Sequence, residues 1–212
     1  AAWQLEALKE EKPKTKPDTV KKAEPAKPKK VKKNTDENGY TLVLRNLNTK
    51  QDVQFGFVKD YAFAKFGQGL LFHTTGNDST MKAGMYWYDL QKAELKQLHE
   101  GKSKYKYKGL AISEDGTQTS FLLDSDTTKA PNHFFSLYYW KQGEATATTL
   151  VNDKTSQVPA NWFVSEHSAL NFSKDGSKLF FGLAPKPLVQ DTSRLEEEII
   201  KVEVWNWKDS VL

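Results

Sequence analysis

The stretch "LNFSKDGSKLFFGL", residues 170–183, sets a Lys-Asp-Gly-Ser turn between two short runs of β-forming residues. Its flanks alternate, with Leu170 and Phe172 before the turn and Leu179 and Phe181 after it. Asp175-Gly176 supplies the φ > 0 position of a tight hairpin. The phrase occurs again as "LAISEDGTQTSFLL" at 110–123 and, in weaker form, as "YAFAKFGQGLLFHT" at 61–74. Laid on one another, Phe63, Ile112 and Phe172 coincide, then Gly67, Gly116 and Gly176, then Phe72, Phe121 and Phe181. The glycines are 49 and 60 residues apart, a period that exceeds leucine-rich and ankyrin repeats and fits β-propeller blades with variable loops.

Each phrase is followed by a second aromatic strand: "GMYWYDL" from Gly84, "FSLYYW" from Phe135 and "KVEVWNW" from Lys201. That strand runs into a turn and a further short strand, as in "DLQKAELKQL", where Asp89 can cap the turn. Four strands per repeat is the composition of a propeller blade. Only two stretches, around Ala93–Leu98 and Arg194–Ile200, have any helical character, so the fold class is all-β. A complete seven- or eight-bladed ring at this period needs on the order of 300 residues or more, against 212 here. The expectation is a partial β-propeller of about three four-stranded blades plus incomplete terminal blades.

The blades divide as a blade end over 40–58, a blade over 59–100, a blade over 105–152 and an incomplete blade over 160–212. Residues 1–39 read as a strand remnant at Ala2–Leu5 followed by a mobile Lys/Pro/Glu-rich insertion. Opening and closing in mid-blade suggests a piece of a longer protein. Its terminal faces, carrying Leu42, Leu44, Val202, Val204, Trp205 and Trp207, are expected to lie uncovered and to drive self-association.

The insertion also holds the charge. Residues 1–37 contain 11 Lys and 7 acidic residues, and the other 20 basic and 20 acidic residues cancel. Lys, Pro and Glu in alternation cannot bury enough apolar surface to offset chain entropy. Polybasic arms for nucleic acid carry denser Lys/Arg and less Glu, and the body behind this tract is neutral, which argues against nucleic acid as a partner. Cysteine is absent, so disulfides and thiolate ligands play no part. No apolar run approaches the roughly 20 residues of a membrane span.

Catalytic constellations are missing from the sequence. No serine sits in a G-x-S-x-G elbow. His73 is at a strand end, His99 before a glycine, His133 in the loop "KAPNHFF" and His167 beside Glu166, with no metal-ligand spacing among them. They read as surface or hydrogen-bonding residues. Glu196-Glu197-Glu198 could grip a peptide amino terminus or be an edge cluster balanced by nearby Lys and Arg. The aromatics of "MYWYDL" and "SLYYW" could form a ligand platform, though alternation along a middle strand favours packing between blades. No catalytic, cofactor-binding or metal residue is assigned, and no cofactor is expected.

The phrases "FSKDGSKLFF" and "ISEDGTQTSF", each followed by a Tyr/Trp-rich strand, resemble the F-S-x-D-G-x-x-L-x-F blades of propellers in the prolyl oligopeptidase family of serine peptidases. With the Lys/Pro/Glu insertion and "DSTMKAGMYWYDL", the chain resembles the propellers of large secreted members from Bacteroides-like bacteria. TolB-like propellers share the phrase. The first copy departs from it, with Ala64 for Ser and Phe66 for Asp, so its turn rests on Gly67. The resemblance implies a non-catalytic propeller that covers an α/β-hydrolase domain and gates the access of peptide substrates. Ser, Asp and His would all come from that other domain, in a periplasmic or secreted enzyme. The family's dipeptidyl peptidase branch places its glutamate pair before a first-strand phrase; Glu196–Glu198 precede a third strand, and the role is not carried over. The alternative is a stand-alone propeller scaffold for protein–protein interaction.

Overall fold

The computed structural model describes residues 2–5, 38–76, 80–128, 130 and 132–186. The Lys/Pro/Glu insertion, Glu196–Glu198 and the strand expected from Lys201 lie outside them. Among the described residues every regular element is a strand and every ladder is antiparallel. Six strands form one sheet in chain order: β1 (Ala2–Leu5), β2 (Tyr40–Arg45), β3 (Asp52–Phe63), β4 (Gly69–Thr74), β5 (Gly84–Asp89) and β6 (Glu94–Glu100). A second sheet holds β7 (Lys106–Ile112), β8 (Gln118–Asp124), β9 (Ser136–Lys141) and β10 (Thr148–Val151). The third repeat has two short pairs, β11 (Trp162–Val164) with β14 (Leu183–Pro185) and β12 (Asn171–Phe172) with β13 (Leu179–Phe180).

The long strand β3 serves two hairpins. Its first half pairs with β2, Leu42 opposite Phe55, and its second half with β4, Phe63 opposite Leu70. The register shifts on both sides of Val58, and Phe57 adopts a left-handed φ of 60°. Such irregularities bend and twist a strand. Gly39 (φ 75°) makes room for the bend, because a Cβ there would lie 2.6 Å from the Phe57 carbonyl oxygen.

That twist folds the β2–β3 hairpin over β4 and β5. Leu42, Leu44, Phe55 and Val58 pack against Leu70, Phe72, Tyr86 and Tyr88. Leu42 and Leu44 are therefore buried, contrary to the expectation that they lie uncovered. The alternate residues Leu71, Met85, Trp87 and Leu98 meet Tyr107, Phe121, Leu123 and Trp140 of the second sheet. Hence β4 is buried at all six positions, the polar His73 and Thr74 included, and its sequence does not alternate as a half-exposed strand does. Each large apolar side chain so buried contributes roughly 1.5–3 kcal/mol relative to exposure.

The second sheet repeats the plan. Leu122 and Leu137 face away from the first sheet and join Val164 and Leu170, with Phe172, Leu179 and Phe181 packed beside them. Cross-strand ring pairs recur at equivalent positions: Phe72 stacks on Tyr86 at 5.7 Å and Phe121 on Tyr138 at 5.4 Å. Antiparallel units of this kind, packed face to face in chain order, are propeller blades, and the fold is an all-β partial propeller. The stretch Ala93–Leu98 lies largely in β6, an extended strand.

Candidate functional site

The three turns that carry the repeated phrase have one backbone design. The amide of Ala64, Ser113 or Ser173 donates to the carbonyl of Gly69, Gln118 or Lys178. The amide of Gly67, Gly116 or Gly176 donates back to Ala64, Ser113 or Ser173. All three glycines have φ near +70°, a conformation open to glycine at no steric cost. In the second and third turns a side-chain network is added. Ser113 Oγ donates to Asp115 Oδ1 at 2.5 Å and accepts from the Gln118 amide at 2.9 Å; Ser173 does the same with Asp175 (2.6 Å) and Lys178 (2.9 Å). Thr117 and Ser177 each donate a hydroxyl and an amide to the same aspartate. These hydrogen bonds, the serine hydroxyl first, favour ionised carboxylates: Asp115 is lowered, and Asp175 is held down to about 2.

Each turn leans on the one before it. The Gln68 side chain packs against Gly116, and Gln118 Nε2 donates to the Gly176 carbonyl at 3.1 Å while its Oε1 accepts from Tyr139. Stacking the turns brings the ends of the first strands together around one cavity of about 360 Å³. Its wall repeats by register. Ala62, Ala111 and Asn171 are equivalent positions, as are Phe63, Ile112 and Phe172, and all six line it. On its rim stand Lys65, Glu114 and Lys174, again one position in three repeats. Lys65 Nζ lies 2.6 Å from Glu114 Oε1 and 5.5 Å from the Phe66 ring centre. This cavity went unassigned in the sequence, although the alignment of Phe63, Ile112 and Phe172 carried the signal.

A second polar cluster sits at the opposite ends of β7 and β8. The buried Asp124 carboxylate accepts from His133 Nδ1 at 2.8 Å, which leaves Nε2 to accept from Lys106 Nζ at 2.5 Å. Lys108 bridges to Glu166. Burial opposes ionisation of Glu166, but the hydrogen bond and charge of Lys108 outweigh it and its pKa is lowered. The cluster contains an oriented imidazole but no neighbouring nucleophile among the residues it joins.

The four histidines therefore differ. His133 is held by Asp124, and His167 is exposed, 4.0 Å from Glu166. His99 Nδ1 shares a hydrogen bond with the Tyr107 hydroxyl at 2.9 Å. His73 is buried against the Tyr107 ring, 5.0 Å between centres and tilted by 32°, and its Nδ1 has no hydrogen-bond partner among the described residues. Burial, helped by the charge of Lys59, pushes its pKa down to about 4. The aromatics considered as a platform are mostly packed inside: Tyr86 and Tyr88 are buried under the β2–β3 hairpin, Trp87 and Trp140 are buried between the first two sheets, and Tyr138 and Tyr139 are half-buried. Among the described residues no group of three or more His, Cys, Asp or Glu could hold a metal, and no helix is long and apolar enough to cross a membrane.

No protein-family model matches the chain, and no curated protein matches it. Among solved structures it is similar to a prolyl endopeptidase at 15% identity and TM-score 0.42, over 71% of this chain and 23% of that one. It is similar to an oligogalacturonate lyase from Vibrio parahaemolyticus at 12% identity and TM-score 0.38, over 68% and 46%. It is similar to the β-propeller domain of the Trilobed protease from Pyrococcus furiosus, which has an open velcro topology, at 13% identity and TM-score 0.30, over 69% and 56%. The chain thus spans between about a quarter and just over half the length of these proteins.

Proposed function

We propose that this chain is a non-catalytic propeller segment of a prolyl oligopeptidase-like serine peptidase, periplasmic or secreted, which covers a hydrolase domain and gates the entry of peptide substrates. The observation that carries the reading is the F-S-x-D-G-x-x-L-x-F phrase. Its serine, aspartate and glycine have defined jobs in the turns at Ser113–Gln118 and Ser173–Lys178, so the resemblance rests on residues that build the blade.

The test uses the full-length product of the gene that encodes this chain. A fluorophosphonate probe should label one serine outside residues 1–212, and the protein should cleave a short proline-containing peptide while sparing a folded protein. Residues 1–212 alone should show neither labelling nor turnover. A full-length product that the probe leaves unlabelled would overturn the reading in favour of a stand-alone scaffold.

A further inference from the structure

The cavity at the ends of the first strands joins a mixed wall, in which apolar side chains stand among polar groups, to an unbalanced rim. Glu114 is already neutralised by Lys65, at 2.6 Å. Lys174, at the equivalent position of the third repeat, reaches the same cavity and forms no ion pair among the described residues. Its neighbour Asp175 is turned to Ser173 and Ser177, with both carboxylate oxygens engaged. Beside Lys174 the wall offers the Asn171 amide, a donor, and the apolar side chains of Leu170 and Phe172. At about 360 Å³ the space lies at the small end of ligand pockets.

A cation would meet two ammonium groups here, and a neutral apolar ligand would leave Lys174 without a counter-charge. An anionic group on an apolar body satisfies both the rim and the wall. A carboxylate suits better than a phosphate dianion, since the rim has one uncompensated charge to offer. We propose that this cavity is a binding site for an apolar monocarboxylate, chiefly the carboxyl end of a short peptide, with Lys174 as its counter-ion and Asn171 as a second donor. The inference stands on the cavity itself and holds whether or not a hydrolase domain accompanies the chain.

The probe is the tripeptide Ala-Pro-Leu with a free carboxylate, titrated calorimetrically into the chain at pH 7 and low salt, beside its C-terminal amide. A charge-assisted hydrogen bond predicts that the acid binds roughly tenfold tighter than the amide. Lys174→Glu should abolish that preference, while Lys178→Glu, on the far side of the same turn, should leave it in place. Lys174→Gln serves as a second, milder variant, and unchanged thermal midpoints show that each variant is folded. Octanoate then separates the sources: competition with the tripeptide assigns the site to apolar carboxylates at large, and failure to compete assigns it to peptide ends. Equal binding of acid and amide, an acid preference that survives both Lys174 substitutions, or no binding of either peptide at millimolar concentration would overturn the proposal.

Discussion

The two seams of the molecule use the same blade positions and fill them with different chemistry. Between the first and second sheets, His73 and Met85 project from β4 and β5 toward Tyr107 and Phe121. One repeat later the equivalent positions are Leu122 and Leu137, which meet Val164 and Leu170. The second seam is apolar throughout its centre, built of aliphatic side chains and Phe135 with no titratable group. The first places a buried imidazole, a second imidazole at His99 and a phenol whose pKa is raised by burial around one another. One backbone plan thus yields a seam indifferent to protons and another that must exclude them.

The largest expected effect tests the apolar seam. Leu122→Ala leaves a cavity against Leu137, Val164 and Leu170 and should cost about 3 kcal/mol, read as a lowered urea midpoint. A change below about 1 kcal/mol would mean that the third repeat is not packed there. Acid tests the other seam. Burial holds the pKa of His73 down to about 4, against 6.5 when free, and His99 is also lowered by burial, although Glu100 opposes it. A base with a depressed pKa binds more protons when unfolded. Its stabilising contribution is therefore present above pH 6.5 and is lost as pH falls toward 4, by on the order of 2 kcal/mol from His73. The hydrogen-bonded carboxylates Asp115 and Asp175 are lowered below their ordinary value of 3.8, so they leave this window to the imidazoles. Stability constant between pH 7 and 4.5 would refute the assignment. The smallest effect is a gain: His73→Leu makes the first seam like the second, removes an unpartnered nitrogen, and should stabilise by about 1 kcal/mol at pH 7. The variant should also lose most of the acid dependence, and an undiminished pH slope would place the sensitivity elsewhere.

What could be read from the sequence was whatever is local. The repeated phrase, its glycine and its alternation fix a turn and two strands within fourteen residues, and the structure has that turn three times over. Asp89 capping the next turn was likewise legible, with the amides of Gln91 and Lys92 bound to its carboxylate. Partners across repeats were not. Lys65 meets Glu114 and Lys108 meets Glu166 only because sheets stack, and no spacing rule forecasts which blade face a lone histidine will occupy. His73 stood at a strand end in sequence and lies inside a seam. Leu42 and Leu44 looked like an open face because nothing local reveals that Phe57 turns the chain over them.

The bracing of each turn by its predecessor has a bearing on how the chain is made. Gln68 precedes Gly116 in the chain, and Gln118 precedes Gly176. In both main sheets the strands stand in sequence order or its mirror, so that neighbours in the chain are neighbours in the sheet. From β2 onward the connections between paired neighbours in these two sheets are short and entropically cheap to close, so a repeat that has closed offers the next one a surface shaped to receive its turn. Assembly can then proceed from the amino-terminal side one repeat at a time, with each glutamine acting as the template for a glycine not yet translated.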